Sequence, residues 1–82
     1  MTDYVNLPAD ADRYLEALSR GNAFFMRGEF DEAIAAFTEA IQIDPQRSLA
    51  YCSRYAAYFA AGRHDEAHAD IEKVEQLDAD GG

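Results

Sequence analysis

The apolar residues of this chain recur at spacings of three and four positions through four successive segments. Such spacing places apolar side chains on one face of an α-helix. The predicted helices cover residues 12–27, 30–43, 46–61 and 64–77. No segment alternates apolar and polar residues as a half-buried strand does, so the pattern predicts an all-α fold. Residues 78–82 follow the last predicted helix and are expected to form a flexible tail.

Turn-forming residues separate the predicted helices. Gly28 and Gly62 follow the first and third segments, and a glycine just beyond the last turn commonly ends a helix. Pro45 ends the second segment, because the residue before a proline is disfavoured in helical conformation, and it suits the opening of the third. The predicted unit is therefore a helix, a short turn and a helix, and it occurs twice.

The first thirteen residues precede the helical pattern and form an N-terminal arm or cap. Tyr4, Val5 and Leu7 are apolar, and Pro8 is expected to stop any helix from running through them. Two interpretations remain open at this point. Residues 1–13 either form a frayed terminus or form an extended arm that lays its apolar side chains on the body of the domain.

The two halves of the chain repeat with a shift of 34 residues, so that residues 14–47 align with residues 48–81. Both turn glycines, both Asp-Glu-Ala helix starts and both closing aspartates coincide in this alignment. The identical pairs include Leu15/Leu49, Ser19/Ser53, Arg20/Arg54, Ala23/Ala57, Phe25/Phe59, Gly28/Gly62, Asp31/Asp65 and Asp44/Asp78. Helical periodicity alone does not align turns as well as helices, so the pattern indicates two copies of one helical hairpin.

This arrangement resembles the tetratricopeptide repeat family in its period and in its helix–turn–helix unit. The matching residues of the first copy are Gly21, Phe24, Gly28, Phe30, Ala33, Phe37, Ala40 and Pro45, and those of the second are Tyr51, Tyr58, Gly62, Ala67 and Ile71. The resemblance implies a domain over residues 14–81, with repeat one at 14–47 and repeat two at 48–81. It also implies that tandem helix–turn–helix hairpins form a short right-handed α-solenoid.

The second copy departs from the family pattern at two positions where helices approach closely. Tyr55 stands where the first copy has Gly21, and Val74 stands where it has Ala40. Two arrangements are open, since either the second hairpin opens wider or Tyr55 swings out toward a partner.

The outward positions of each second helix also differ between the copies. By the resemblance, these positions contact the next repeat. They are Ile34, Ile41 and Ile43 in the first copy and His68, Glu75 and Leu77 in the second. Two of the three have become polar in the second copy, so we expect the array to end at Leu77, with an excised fragment as the alternative.

Composition narrows the class of partner. The chain has 82 residues, 16 acidic against 7 basic, and a formal net charge of −9. That balance argues against nucleic acid and against anionic membrane surfaces as partners. One cysteine, the lack of a signal-peptide pattern and the lack of a long apolar run favour a cytoplasmic protein.

The resemblance implies that the first helices of the hairpins line an apolar concave groove that takes a peptide or a partner helix. The expected groove residues are Leu15, Leu18, Ser19, Asn22, Phe25, Met26, Leu49, Cys52, Ser53, Ala56, Phe59 and Ala60, with Leu18 and Cys52 at the edge. The predicted function is an adaptor that binds another protein. The alternative is a homodimer whose groove is filled by its own N-terminal arm or by a second copy.

Catalysis, cofactors and metals are not expected. His64 and His68 could share a helix face as metal ligands do, but two solvated histidines explain the pattern better. Cys52 is predicted to be a small buried apolar residue and not a nucleophile. A clamp for the C-terminal carboxylate of a chaperone is also not expected, because only Asn22 matches its pattern.

Overall fold

A computed structural model describes residues 3–81, with side chains described for residues 11–79. The described residues form four helices and no strand. These are α1 (Asp3–Met26), α2 (Phe30–Ile43), α3 (Ser48–Ala60) and α4 (His64–Gly81). The prediction of an all-α fold built from two helical hairpins is confirmed.

Three helix boundaries differ from the prediction. α1 begins at Asp3 and runs through Pro8, so the extended arm and the stop at Pro8 are wrong. Pro8 is the sixth residue of α1, so it removes one backbone hydrogen bond of the second turn, and the helix continues on both sides of it. The contacts expected of Tyr4, Val5 and Leu7 lie outside the described side chains.

The other two differences lie around α3 and α4. α3 begins at Ser48 because the amide of Gln46 donates to Asp44 Oδ1 at 3.3 Å and closes a turn over Pro45. α4 continues to Gly81, so the flexible tail predicted from Asp78 is wrong within the described residues. No glycine or proline lies between His64 and that glycine to end the helix. Gly82 lies outside the described residues.

The helices form two hairpins that pack side by side. α1 packs on α2, and α3 packs on α4. α2 packs against α3 between the hairpins, and α1 also contacts α3. α4 contacts only α3 among the described helices, so the second hairpin has one uncovered side.

Glycine ends α1 and α3 in the same way. Gly28 and Gly62 have φ values of +78° and +79°, the left-handed region that favours glycine. The amide of Glu29 donates to Phe24 O at 2.9 Å, and the amide of Arg63 donates to Tyr58 O at 2.8 Å. These bonds reach back over the last helical turn and satisfy its free carbonyl groups. The aligned glycines thus build two equivalent turns.

The core lies mainly between the first hairpin and α3. Its buried cluster consists of Tyr14, Ala17, Leu18, Ala33, Ile34, Phe37, Ala40, Ala50 and Ala57. Phe37 is only 1% exposed. A β-carbon built on Gly21 would overlap the Phe37 ring, with Cζ only 2.9 Å away, so only glycine allows this close packing. α4 contributes no residue to this cluster.

The second hairpin places its large side chain on the opposite helix. The counterparts of Gly21 and Phe37 are Tyr55 and Ile71, so the ring lies on α3 and the smaller side chain on α4. Tyr55 and Ile71 line the same cavity, and the Tyr55 ring lies 6.0 Å from that of Phe59. Tyr55 is half-buried, so this exchange of sizes accounts for the departure at the glycine position better than a side chain swung out into solvent.

Candidate functional site

Four large apolar side chains are exposed among the described residues, and all four belong to α1 or α3. Leu15 is 54% exposed, Met26 85%, Leu49 56% and Phe59 54%. All four are among the residues predicted to line the groove. α1 and α3 contact each other, so the two helices that carry these side chains are neighbours.

The spacing of these residues aligns them along each helix. Leu15, Ser19, Asn22 and Met26 follow one another at intervals of four, three and four, so they form one stripe on α1. All four are exposed. On α3 the equivalent stripe contains exposed Leu49 with the half-buried residues Ser53 and Ala56, and exposed Ala60 continues it. We call these two stripes, with Phe25 and Phe59 beside them, the α1–α3 groove, after the concave surface that the sequence predicts there.

Two predicted edge residues lie in different surroundings. Leu18 is 5% exposed and belongs to the core cluster, so its assignment to the groove surface is wrong. Its counterpart Cys52 is exposed, so the prediction of a buried cysteine is wrong as well. Both corrections have one physical cause, since α3 packs over the first hairpin and no described helix packs over the second.

The groove has little charge to direct binding. Apart from Ser19, Asn22 and Ser53, its stripes are apolar. Arg20 lies next to Ser19 but turns toward α2, where its guanidinium donates three hydrogen bonds of 3.2 Å to the Glu39 carboxylate. This hydrogen bonding raises the pKa of Arg20. A polypeptide bound here would therefore be held mainly by apolar contact.

Phe25 and Phe59 border the groove differently. The Phe25 ring packs against the core and lies 5.4 Å from the ring of Phe30. The Phe59 ring lies 4.7 Å from His64, nearly edge-on at 82°. His64 is the repeat counterpart of Phe30, so an aromatic pair is kept in both hairpins while its second member becomes polar.

The sequence interpretation missed a buried ion pair between α3 and α4. Arg54 donates through Nη2 and Nε to the two carboxylate oxygens of Asp70, at 2.7 and 2.9 Å. Asp70 is 3% exposed. The hydrogen bond to Asp70 is the main cause that raises the pKa of Arg54. An acidic residue between Ala67 and Val74 on the apolar side of α4 was the signal that could have identified it.

The same arginine joins the two hairpins. Arg54 Nη1 donates to Thr38 Oγ1 at 3.1 Å, and Thr38 Oγ1 donates to Ile34 O at 2.7 Å. The polar chain from Asp70 through Arg54 to Thr38 therefore fixes α4, α3 and α2 relative to one another. The geometry of this polar chain indicates a structural role, because both charges are paired and Asp70 is almost fully buried.

Among the described side chains, those of residues 11–79, no group of three or more His, Cys, Asp or Glu is placed to hold a metal ion. His68 instead pairs with Glu72, with 3.3 Å between Nε2 and the carboxylate. None of the described helices combines the length and the apolar content needed to cross a bilayer.

Comparison with known proteins identifies the repeat. A family model described as a TPR repeat matches residues 21–62, about half of the chain. The matched range runs from α1 through α2 and α3 to the second turn glycine. No curated protein matches the chain.

Proposed function

Because the chain belongs to the tetratricopeptide repeat family, a family of generally non-catalytic protein-interaction modules, we propose that it binds another polypeptide in the α1–α3 groove. The observation that carries this proposal is the placement of exposed apolar side chains. All four large ones lie on α1 and α3, and none lies on the described parts of α2 and α4. Several exposed apolar side chains gathered on one pair of helices in a small protein usually mark an interaction site.

The shape of the ligand follows from the two stripes. Each presents apolar side chains at its two ends and small or polar ones in the middle, with Ser19 and Asn22 on α1 and Ser53 and Ala56 on α3. An extended peptide or an amphipathic helix could place apolar side chains on Leu15, Met26, Leu49 and Phe59. Asn22 and the serines would then be available for backbone groups of an extended ligand.

Net charge and cysteine content bear on the class of ligand and on the compartment in which the protein acts. A net charge of −9 disfavours nucleic acid and anionic lipid as the ligand. A single cysteine is compatible with the cytoplasm, where an adaptor of this kind would act. Self-association through the same groove is the second candidate, because an apolar stripe on each of two copies can also be buried in a dimer.

A peptide-library selection tests the groove. Peptides selected on the wild-type protein are expected to bind Leu15→Glu/Leu49→Glu at least about 10-fold more weakly, because a carboxylate cannot be desolvated against an apolar ligand. The matched control is Ala35→Glu/Ala69→Glu, which places the same charges on exposed repeat positions of α2 and α4. Equal affinity of the selected peptides for both variants would contradict the proposal.

Sedimentation equilibrium distinguishes self-association from the binding of another polypeptide. The groove proposal predicts a monomer at micromolar concentration without peptide. A dimer that Leu15→Glu/Leu49→Glu dissociates, and that the control leaves intact, would assign the groove to self-association instead.

A further inference from the structure

The repeat alignment reveals a second uncovered surface, at the side of the second hairpin that faces away from the first. In the first hairpin, Leu18 and Ile34 are 5% and 8% exposed and share a core cluster with Ala50 and Ala57 of α3. Their counterparts Cys52 and His68 are exposed. The first hairpin is therefore covered by a helix at a place where the second hairpin is open.

A cavity lies on this open side. It has a volume of about 220 Å³ and is lined by Tyr55, Phe59, His64, Ala67, His68 and Ile71. Small-molecule sites commonly measure about 300–1,000 Å³. A smaller, largely aromatic and aliphatic cavity is better suited to one inserted side chain of a partner protein.

α3 shows what kind of helix fits such a surface. α3 and the residues that flank it contact the first hairpin through arginine side chains. Arg54 Nη1 donates to Thr38 Oγ1 at 3.1 Å, and Arg63 Nη1 lies 3.8 Å from Asp31 Oδ1. At the other end of α3, the Arg47 guanidinium lies 4.8 Å from the Tyr14 ring centre.

Arg47 also pairs with Asp44 at 3.1 Å, so arginines at both ends and in the middle of this segment contact the first hairpin. Residues 47–63 contain three arginines and no acidic residue. The segment that covers the first hairpin, α3 with Arg47 and Arg63 at its two ends, is therefore basic as well as amphipathic.

The open side of the second hairpin presents more negative charge at the equivalent positions. The counterparts of Asp31, Thr38 and Asp44 are Asp65, Glu72 and Asp78. All three of these acids are exposed. We define the end face as these three acids together with the residues that line the cavity.

We propose that the end face binds a basic amphipathic helix of a partner protein. The partner's arginine or lysine side chains would meet Asp65, Glu72 and Asp78, and one of its apolar side chains would enter the cavity. This site is separate from the α1–α3 groove, although Phe59 borders both.

A second copy of this chain fits the end face poorly. Continuing the repeat head to tail would place α1 of that copy where α3 lies on the first hairpin. Glu16 would then occupy the position of Ala50, which is fully buried. Glu29 would occupy the position of Arg63 and approach Asp65. A buried carboxylate and a like-charge contact both oppose this packing.

The test uses the chain's own basic helix as the probe. A fluorescein-labelled, end-blocked peptide with the sequence of residues 47–63 and Cys52→Ser is titrated with the full chain by fluorescence polarisation. We expect saturable binding that weakens as salt is raised, because charge pairs at an exposed rim are screened. Asp65→Lys/Glu72→Lys is expected to weaken binding at least about 10-fold, roughly 1.4 kcal/mol.

Two control variants separate the end face from net charge and from the groove. Glu16→Lys/Glu32→Lys makes the same change in net charge on exposed residues of the first hairpin and should change the affinity less than about two-fold. Leu15→Glu/Leu49→Glu alters the groove and should also bind the probe normally. Circular dichroism confirms that each variant is folded.

Several results would overturn the proposal. These are the absence of saturable binding at low salt, an equal loss in the Glu16→Lys/Glu32→Lys control, or a loss confined to the groove variant. A wild-type dimer that Asp65→Lys/Glu72→Lys dissociates would identify a second copy as the occupant and would also contradict it. Because the groove variant is measured separately, failure of the end face leaves the proposed function of the groove intact.

Discussion

The two repeats have the same length and the same turns, yet the first hairpin is packed more completely than the second. Gly21 lets the Phe37 ring lie against α1, and α3 then covers Leu18 and Ile34. In the second hairpin, the equivalent side is open and the cavity remains beside Tyr55. A repeat position is therefore buried or exposed according to what packs over it, and not according to its place in the repeat alone.

The largest expected effect comes from the aromatic centre of the first hairpin. Phe37→Ala should lower the free energy of unfolding by about 3–5 kcal/mol, because it leaves a cavity in a closed core. Ile71→Ala, at the equivalent position of the second hairpin, should cost less, since Ile71 is half-buried and already borders a cavity. Urea unfolding monitored by circular dichroism checks both values, and equal losses would contradict the difference in packing.

Breaking an ion pair should destabilise the fold more in the second hairpin than in the first. Asp70→Ala leaves the half-buried Arg54 without its carboxylate partner, and breaking a buried pair in this way costs about 3–5 kcal/mol. The Arg20–Glu39 pair of the first hairpin is half-exposed on both sides, so Glu39→Ala should have little effect. Thermal unfolding of both variants tests this order, and a larger loss from Glu39→Ala would reverse it.

The exchange of side-chain sizes can be tested with a double-mutant cycle. Gly21→Tyr alone should destabilise the chain by about 2–3 kcal/mol, because the new ring overlaps that of Phe37. Gly21→Tyr/Phe37→Ile reproduces the pair found in the second hairpin. It should show a favourable coupling energy of about 1 kcal/mol or more. Simple additivity of the two single changes would mean that the exchange does not compensate.

The smallest expected effect concerns pH. The Tyr14 hydroxyl is buried without a hydrogen bond of ordinary geometry. Burial raises the pKa of Tyr14, and the nearby Ala50 backbone and Arg47 only partly offset this. Unfolding frees the hydroxyl to ionise above its ordinary pKa of about 10. The contribution of Tyr14 to stability is therefore fully present below its ordinary pKa and is lost as pH rises through its raised pKa in the folded protein.

Tyr14→Phe removes that ionisation, so its melting temperature should fall less than that of the wild type between pH 9 and pH 11. Differential scanning calorimetry measures both curves. Parallel curves would show that other groups control the alkaline transition.

Local sequence signals predicted much of the fold. The turn glycines at Gly28 and Gly62 and the repeat of 34 residues identified the hairpins and their turns. The start of α1 differs from the prediction because a proline does not always end a helix, and α1 runs through Pro8. The end of α4 also differs from the prediction, because the polar residues after Leu77 contain no helix-breaking residue before Gly81.

The surface was harder to predict, because exposure depends on neighbouring helices. Leu18 and Cys52 occupy the same repeat position, but one is buried by α3 and the other is exposed. The pairing of Arg54 with Asp70 joins residues on separate helices, and its first-hairpin counterpart has alanine in place of the acid. Repeat spacing alone therefore could not predict that pair. The resemblance implies the orientation of whole helices. It therefore predicts the surface positions of Leu15, Met26, Leu49 and Phe59.

The most direct test of the central claim is NMR mapping of a peptide selected on the wild-type protein. Binding in the α1–α3 groove predicts amide shift changes concentrated on the stripes that contain Leu15, Met26 and Leu49. It also predicts that these changes disappear with Leu15→Glu/Leu49→Glu. Shift changes confined to the outer faces of α2 and α4, and unchanged by that variant, would contradict the claim.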